Sequence, residues 1–308
     1  MQALLEIVPA WQFIAFAAVF GAMWGSFANV VIVRWPLEMS VVRPASHCIS
    51  CKTPIRFYDN IPILSYLFLR GKCRHCKASF SPRYMVVELA LALLAVGVMR
   101  LTILNDPPSF QQGAAEFFIW FSFVWALVTM GMIDLETYLI PDAITYPGIV
   151  VGIAANAFIL ELGWMEPLIA AAGGFVVIRL LFIDGYKLLT GKPGMGEGDA
   201  KLMAMFGAFF GIRGAMFALF AGAFQGLIVG IVMVAVRRKG DGDSEPVFAE
   251  DDGDPDEDGE HETAQETRFR KAKIPFGPFL ALGAIEYFFM GNAILDAYLD
   301  GIARLIGF

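Results

Sequence analysis

Apolar residues come in long blocks along this chain, separated by short polar breaks marked with glycine, proline or charge. The blocks fall at approximately 9–33, 85–104, 115–133, 143–162, 166–186, 200–212, 214–236 and 275–291. Several approach the ~20 residues needed to cross a hydrocarbon core. The sixth block is short for a span. A last apolar stretch, 292–308, carries Asp296, Asp300 and Arg304 and reads as an amphipathic tail or as a continuation of the eighth block. The pattern predicts an all-α polytopic membrane protein with about eight transmembrane helices. It divides into a first transmembrane helix (1–33), a polar module (34–84), a transmembrane core (85–236), an acidic loop (237–273) and a C-terminal transmembrane segment (274–308).

Composition agrees. The 308 residues are 57% hydrophobic, with 28 Phe and a mean hydropathy of +0.61, against ~45–50% apolar in soluble domains. The N-terminus lacks a basic region and a small-residue cleavage site, so the first apolar block is expected to be a retained helix. The net charge of −7 comes from one place: 13 Asp/Glu lie between Asp241 and Thr267, and without them 17 acidic and 23 basic residues give +6. The run Gly240 to Gln265 has the composition of a disordered, solvated loop, with cation binding or docking as the alternative.

Lys/Arg placement sets the orientation. The connection from Arg34 to Arg83 has nine Lys/Arg against Glu38 and Asp59, and is expected in the cytoplasm. Met1 to Gln12 has no Lys/Arg and is expected outside. Counting spans forward puts the helix ends near Asp134, Asp199 and Arg237-Arg238-Lys239 on the cytoplasmic side.

All four cysteines lie in that connection, as Cys48-Ile49-Ser50-Cys51 and Cys73-Arg74-His75-Cys76, a C-x2-C-x21-C-x2-C spacing. Two such knuckles bring four thiolates to one tetrahedral ion, close to the spacing of zinc ribbons. A reducing cytosol argues against structural disulfides. Redox-active or merely buried thiols are the other readings. A closed site of four thiolates is structural and leaves no place for a metal-bound water. A small β-hairpin is expected to absorb the long gap. His47 and His75 read as solvent-exposed neighbours. The basic residues Arg56, Arg70, Lys72, Arg74 and Lys77 suit anionic membrane lipid, whereas little aromatic interleaving and a membrane tether speak against nucleic acid.

The most telling acidic residues sit at the edges of apolar blocks. Asp134 follows Gly131-Met132-Ile133, and Asp199 ends Gly194-Met195-Gly196-Glu197-Gly198-Asp199. An ionisable group there is costly and points to function. Helix capping does not explain Asp134, because a negative charge at a helix C-terminus opposes the macrodipole. Asp199 has capping as a rival reading. Asp142, after Pro141, stands where a helix N-cap is expected, and Glu136 reads as solvated. Two nearby carboxylates share a proton, so one polarises water while the other protonates a carbonyl oxygen.

These residues resemble the type IV prepilin peptidase family, membrane aspartic proteases of the Gly-x-Gly-Asp type. The resemblance runs through Gly25-Ser26-Phe27-Ala28-Asn29, Asn60-Ile61-Pro62-Ile63-Leu64-Ser65-Tyr66, and Ser81-Pro82-Arg83-Tyr84 leading to Glu88, with Met85 where proline is usual. It continues through Asp134, Leu139-Ile140-Pro141-Asp142, Gly196-Glu197-Gly198-Asp199 and Ile274-Pro275-Phe276-Gly277-Pro278. It implies cleavage of the basic leader of type IV prepilin or pseudopilin precursors after a glycine, at the cytoplasmic face of the bacterial inner membrane, with Asp134 and Asp199 as the catalytic pair. It also implies N-methylation of the new N-terminus from S-adenosylmethionine, with the four-cysteine region serving methylation and zinc. The acidic insertion departs from the compact family pattern. No glycine-rich strand-to-helix turn marks a donor site. Glu88, in a membrane helix, is a candidate contact for amine or donor, or a helix-end group near headgroups. A peptidase without methylation, a proton- or ion-coupled transporter and a zinc-bearing scaffold are the alternatives, although transport sites usually lie nearer the midplane.

Overall fold

In the computed structural model, residues 8–160, 162–192, 194–239, 275–291, 293 and 294 are described. Residues 1–7, the acidic loop from 240 on, and nearly all of 292–308 lie outside the described residues. The described chain is helical and multi-pass. It contains α1 (Ala10–Arg34), α2 (Leu64–Leu69), α3 (Arg83–Leu101), α4 (Phe110–Thr137), α5 (Asp142–Phe158), α6 (Met165–Val177), α7 (Tyr186–Thr190), α8 (Glu197–Lys239) and α9 (Gly277–Glu286). π-helical stretches join α6 to α7 (Ile178–Gly185) and extend α9 (Tyr287–Gly291). Among the described residues there is no strand, only the isolated bridges His47–Pro54 and Lys72–Ser79.

Among the described residues, five helices are long and apolar enough to cross a membrane: Ala10–Arg34, Arg83–Leu101, Phe110–Thr137, Met165–Thr190 and Glu197–Met233. Asp142–Phe158 and Gly277–Gly291 are shorter apolar helices. The last long helix is two arms divided at Gly211 (φ 67°, ψ −165°), beside the break expected between 212 and 214. Packing shows that the arms run in opposite directions. In the first arm, Gly174 of α6 meets Met203, Gly207 meets Ala170 and Gly211 meets Glu166. In the second, Gly214 meets Tyr287, Gly222 meets Leu280, and Gly226 lies nearest Phe276 and Phe279. The reversal needs a partner for the carbonyls whose helical N–H is lost. Asn156 of α5 supplies it, with Nδ2 donating to the Ala208 and Phe209 carbonyls at 3.0 and 3.1 Å. Lipid offers no such donor, so a broken helix persists only where protein re-satisfies it.

Small residues bring α1 and α3 together. Gly21 and Gly25 form a small-xxx-small stripe, and a Cβ at Gly25 would lie 2.6 Å from the Glu88 Cα. Ala28, Val31 and Ile32 then pack with Val87, Leu91 and Ile133. In the middle of the bundle, Phe123, Phe206, Phe209 and Phe210 make the main core with Trp120 against them. One end of the bundle therefore collects Arg34, Arg83, Glu136, Asp142, Glu197 and Gly277.

Candidate active site and four-cysteine centre

Asp134 and Asp199 meet at that end. Asp134 sits in the last turn of α4, which closes when the Tyr138 N–H bonds to the Asp134 carbonyl at 2.9 Å with Tyr138 in the left-handed conformation (φ 56°). Asp199 lies in the first turn of α8. Both are buried, with 6% and 8% of their surface exposed, and Asp199 feels the charge of Asp134. Each also accepts a glycine amide: Gly277 N–H donates to Asp134, and Gly196 N–H donates to Asp199 Oδ2 at 3.2 Å. The capping rival for Asp199 is thus partly right. It reaches back from the third helical position to the residue before the helix, as the acidic member of a capping box does. That bond leaves capacity to spare, since a carboxylate has about four acceptor sites.

Glycines and one isoleucine shape the space around the pair. A Cβ at Gly277 would collide with Asp134 Oδ2, and one at Gly198 would come within 2.9 Å of Ile140. Ile140, from the turn between α4 and α5, lies against both glycines. Ion pairs then fix the surrounding ends. Asp142 is the first residue of α5, with Pro141 at the cap and no side-chain cap bond. The expected N-cap role is therefore corrected: its carboxylate binds Lys201 Nζ at 2.6 Å, two residues after Asp199. Glu136, expected to be solvated, pairs with Arg83 of α3. Arg179, inside the π-helical stretch, bonds Asp184 at 3.0 Å and also pairs with Glu197. Gly194 N–H donates to the Phe182 carbonyl at 3.0 Å. The glycine-rich approach to Asp199 is thus anchored to a π-helix, a feature frequent at functional sites.

The four cysteines converge as the spacing predicts. Their Sγ atoms lie within 4.8 Å of one another, with Cys48–Cys76 at 3.7 Å and Cys51–Cys73 at 4.0 Å. A tetrahedral zinc with ~2.3 Å Zn–S bonds places its sulfurs about 3.8 Å apart, so the set fits that ion. The two knuckles have the same build. Lys52 and Lys77 follow the second cysteine in each, both left-handed (φ 55° and 62°), and each donates its N–H to the first cysteine's carbonyl. The repeated Cys-x-x-Cys-Lys was the sequence signal for this symmetry. Two of the thiols lean toward ionisation and one away from it. Cys51 is drawn down to about 6 by the Thr53 hydroxyl and amide, and Cys73 is lowered by the Cys76 and His75 amides. Cys76, although the Ala78 amide pulls the other way, is pushed up to about 11 by burial and the neighbouring thiols. Four thiolates without a cation repel, and a bound metal removes that cost by displacing the protons. His47 and His75 are outside the ligand set.

The gap between the knuckles is not the expected β-hairpin. It holds a single 3-10 turn, Phe57–Asp59, and α2. Arg74, in the second knuckle, forks onto Asp59 at 2.8 and 3.0 Å and holds that carboxyl below its usual range. The module also clamps the membrane helices. Ile63 N–H donates to Glu88 Oε2 at 2.7 Å, and Asn29 Nδ2 donates to the Tyr84 carbonyl at 3.0 Å.

Comparison with known proteins follows the same division. Residues 19–101 match the Bacterial Peptidase A24 N-terminal domain and residues 121–231 the Type IV leader peptidase family. A prepilin leader peptidase/N-methyltransferase of Myxococcus xanthus strain DK1622 is 34% identical over 96% of this chain and 95% of its own length. The chain belongs to the type IV leader peptidase family. Proteins of the same description from Pseudomonas putida and Pseudomonas aeruginosa PAO1 are 35% and 31% identical, over 79% and 94% of this chain and 88% and 94% of theirs. No solved structure matches. As a member of the leader peptidase family the protein is an enzyme, a membrane peptidase paired with N-methyltransferase activity. Sequence reasoning missed Gly277 and Ile140 as the packing that shapes the pair. It also missed Arg83 and Ile63 as ties from α3 and the module, because all four act through long-range contact.

Proposed function

We propose that Asp134 and Asp199 are the catalytic pair that cleaves the leader of type IV prepilin or pseudopilin precursors at the cytoplasmic face of the bacterial inner membrane. In this reading the enzyme then methylates the new N-terminus from S-adenosylmethionine. The observation that carries the reading is the meeting of two buried carboxylates from separate helices, each bonded to a glycine amide, at one end of the bundle. Buried carboxylates that feel each other's charge titrate as a unit and hold one proton between them. The ionised member takes a proton from water as the water attacks the scissile carbonyl. The protonated member donates to the carbonyl oxygen, and proton return to the leaving amine restores the pair. Gly198 and Gly277 let the chain close tightly on Ile140 and on the Asp134 carboxylate. The bundle end carrying Arg34, Arg83 and the basic module is the cytoplasmic one by the positive-inside rule.

Cys48, Cys51, Cys73 and Cys76 hold one structural zinc, which fixes the fold of residues 34–84 and leaves no open coordination position. S-adenosylmethionine supplies an electrophilic methyl group when bound, and the chain's part is to hold it beside the new amine.

The test incubates membranes containing wild type, Asp134→Asn or Asp199→Asn with a prepilin and labelled S-adenosylmethionine, scoring the shortened product and the label separately. Both variants should accumulate and yield no shortened product. Cleavage by either variant at the wild-type rate removes that residue from the pair.

A further inference from the structure

A cavity of about 710 Å³ lies between the four-cysteine module and the ends of α1 and α3. Its volume is within the ~300–1,000 Å³ of small-molecule sites, and it is separate from the carboxylate pair. The deep wall is made of hydrogen-bond acceptors. Glu88, 8% exposed, turns its carboxylate to the Ile63 amide and the Ser26 side chain. Asn29 is 3% exposed, and its Oδ1 has no hydrogen-bond partner. Ile63 reaches Glu88 from a left-handed backbone (φ 62°, ψ −53°), a conformation that a β-branched residue adopts only when its surroundings hold it there. Near the mouth the charge changes sign. Arg56 and Arg83 line the cavity, and Arg83 Nε is buried without a partner while its Nη1 pairs with Glu136. Tyr66 and Tyr84 add aromatic faces. Acceptors at the floor, guanidinium groups above and aromatic walls match a zwitterionic ligand with a flat ring.

We propose that this cavity binds S-adenosylmethionine, with Glu88 and Asn29 facing its cationic centre and Arg83 and Arg56 facing its carboxylate. The proposal rests on the methylation reading above and locates the donor for it. Arg83 joins the two sites, since its partner Glu136 lies one turn or less from Asp134.

The purified full-length protein, zinc-loaded and in detergent, is examined by equilibrium dialysis with labelled S-adenosylmethionine and with S-adenosylhomocysteine, whose sulfur is neutral. Zinc content and unfolding midpoint are checked for each variant. Glu88→Gln should weaken S-adenosylmethionine binding tenfold or more and S-adenosylhomocysteine binding less, so that the preference between them collapses. Ser65→Trp, which fills the cavity from its wall, should remove binding of both and serves if Glu88→Gln does not fold. Wild-type affinity in either folded variant overturns the assignment. If the wild type transfers label to a prepilin while both variants bind normally, methylation stands and the cavity falls. If the wild type neither binds donor nor transfers label, the methylation reading itself falls.

Discussion

Gly277→Ala tests the position of the Asp134 carboxylate apart from its chemistry. An added Cβ at residue 277 would strike Asp134 Oδ2 and lie 3.2 Å from both the Asp134 Cγ and the Ile140 Cδ1. With Ile140 on one side and the carboxylate on the other, the methyl is accommodated only if Asp134 turns away from the Gly277 amide and from Asp199. Backbone preference opposes any trivial loss of folding, because alanine in a helix is favoured over glycine by ~1 kcal/mol. Overpacking of this kind costs ~1–3 kcal/mol, so the protein should still fold. A displacement of about 1 Å in a catalytic group lowers rate ~100-fold, or ~2.7 kcal/mol of barrier. Initial rates of prepilin cleavage by purified wild type, Gly277→Ala and Gly230→Ala measure this. Gly230 has nothing within 4 Å of its would-be Cβ and serves as the neutral control. Cleavage by Gly277→Ala within threefold of wild type would refute the claim that this glycine sets the carboxylate geometry.

Three further outcomes are expected. Metal analysis should find one zinc per chain and none in Cys73→Ser; chelation should open residues 34–84 to protease while leaving the helical circular dichroism of the bundle unchanged. Asn156→Leu should lower the unfolding midpoint in detergent by the equivalent of ~1–2 kcal/mol, because the Ala208 and Phe209 carbonyls at the Gly211 break lose their donor; an unchanged midpoint would mean that another group satisfies them. Lys201→Met removes the partner of Asp142, a pair whose carboxylate is over half exposed, so it should cost only ~0–1 kcal/mol, and a larger loss of stability would show that the pair organises α5.

Features carried by local sequence were the legible ones. The cysteine spacing foretold the four-thiol cluster because its ligands come from two short knuckles. The break after the short sixth block was legible, and the structure puts a turn at Gly211. The readings that failed were decided at a distance. Asp142 resembles an N-cap in sequence, but Pro141 takes that position and Lys201, 59 residues away, draws the carboxylate elsewhere. Glu136 looked solvated because nothing near it in sequence is Arg83. Leu64–Leu69, in the gap between the knuckles, folds as a short helix rather than a hairpin. Nothing in Ile63 itself announces a left-handed backbone; Glu88, 25 residues on, does.

The reversal at Gly211 also bears on the length of the helix that Asp199 opens. From Asp199 to Gly211 the first arm of α8 rises ~18 Å at 1.5 Å per residue, well short of a hydrocarbon core of ~30 Å. The second arm returns over a similar length before reaching the level of Phe276. The short first arm does not face the lipid: Ala200 and Leu202 to Phe210 are buried, packed against α5, α6 and the Phe123 cluster. Its length is therefore set by protein neighbours and not by the bilayer, and Asp199 opens a helix that is walled by protein from its first turn to its break.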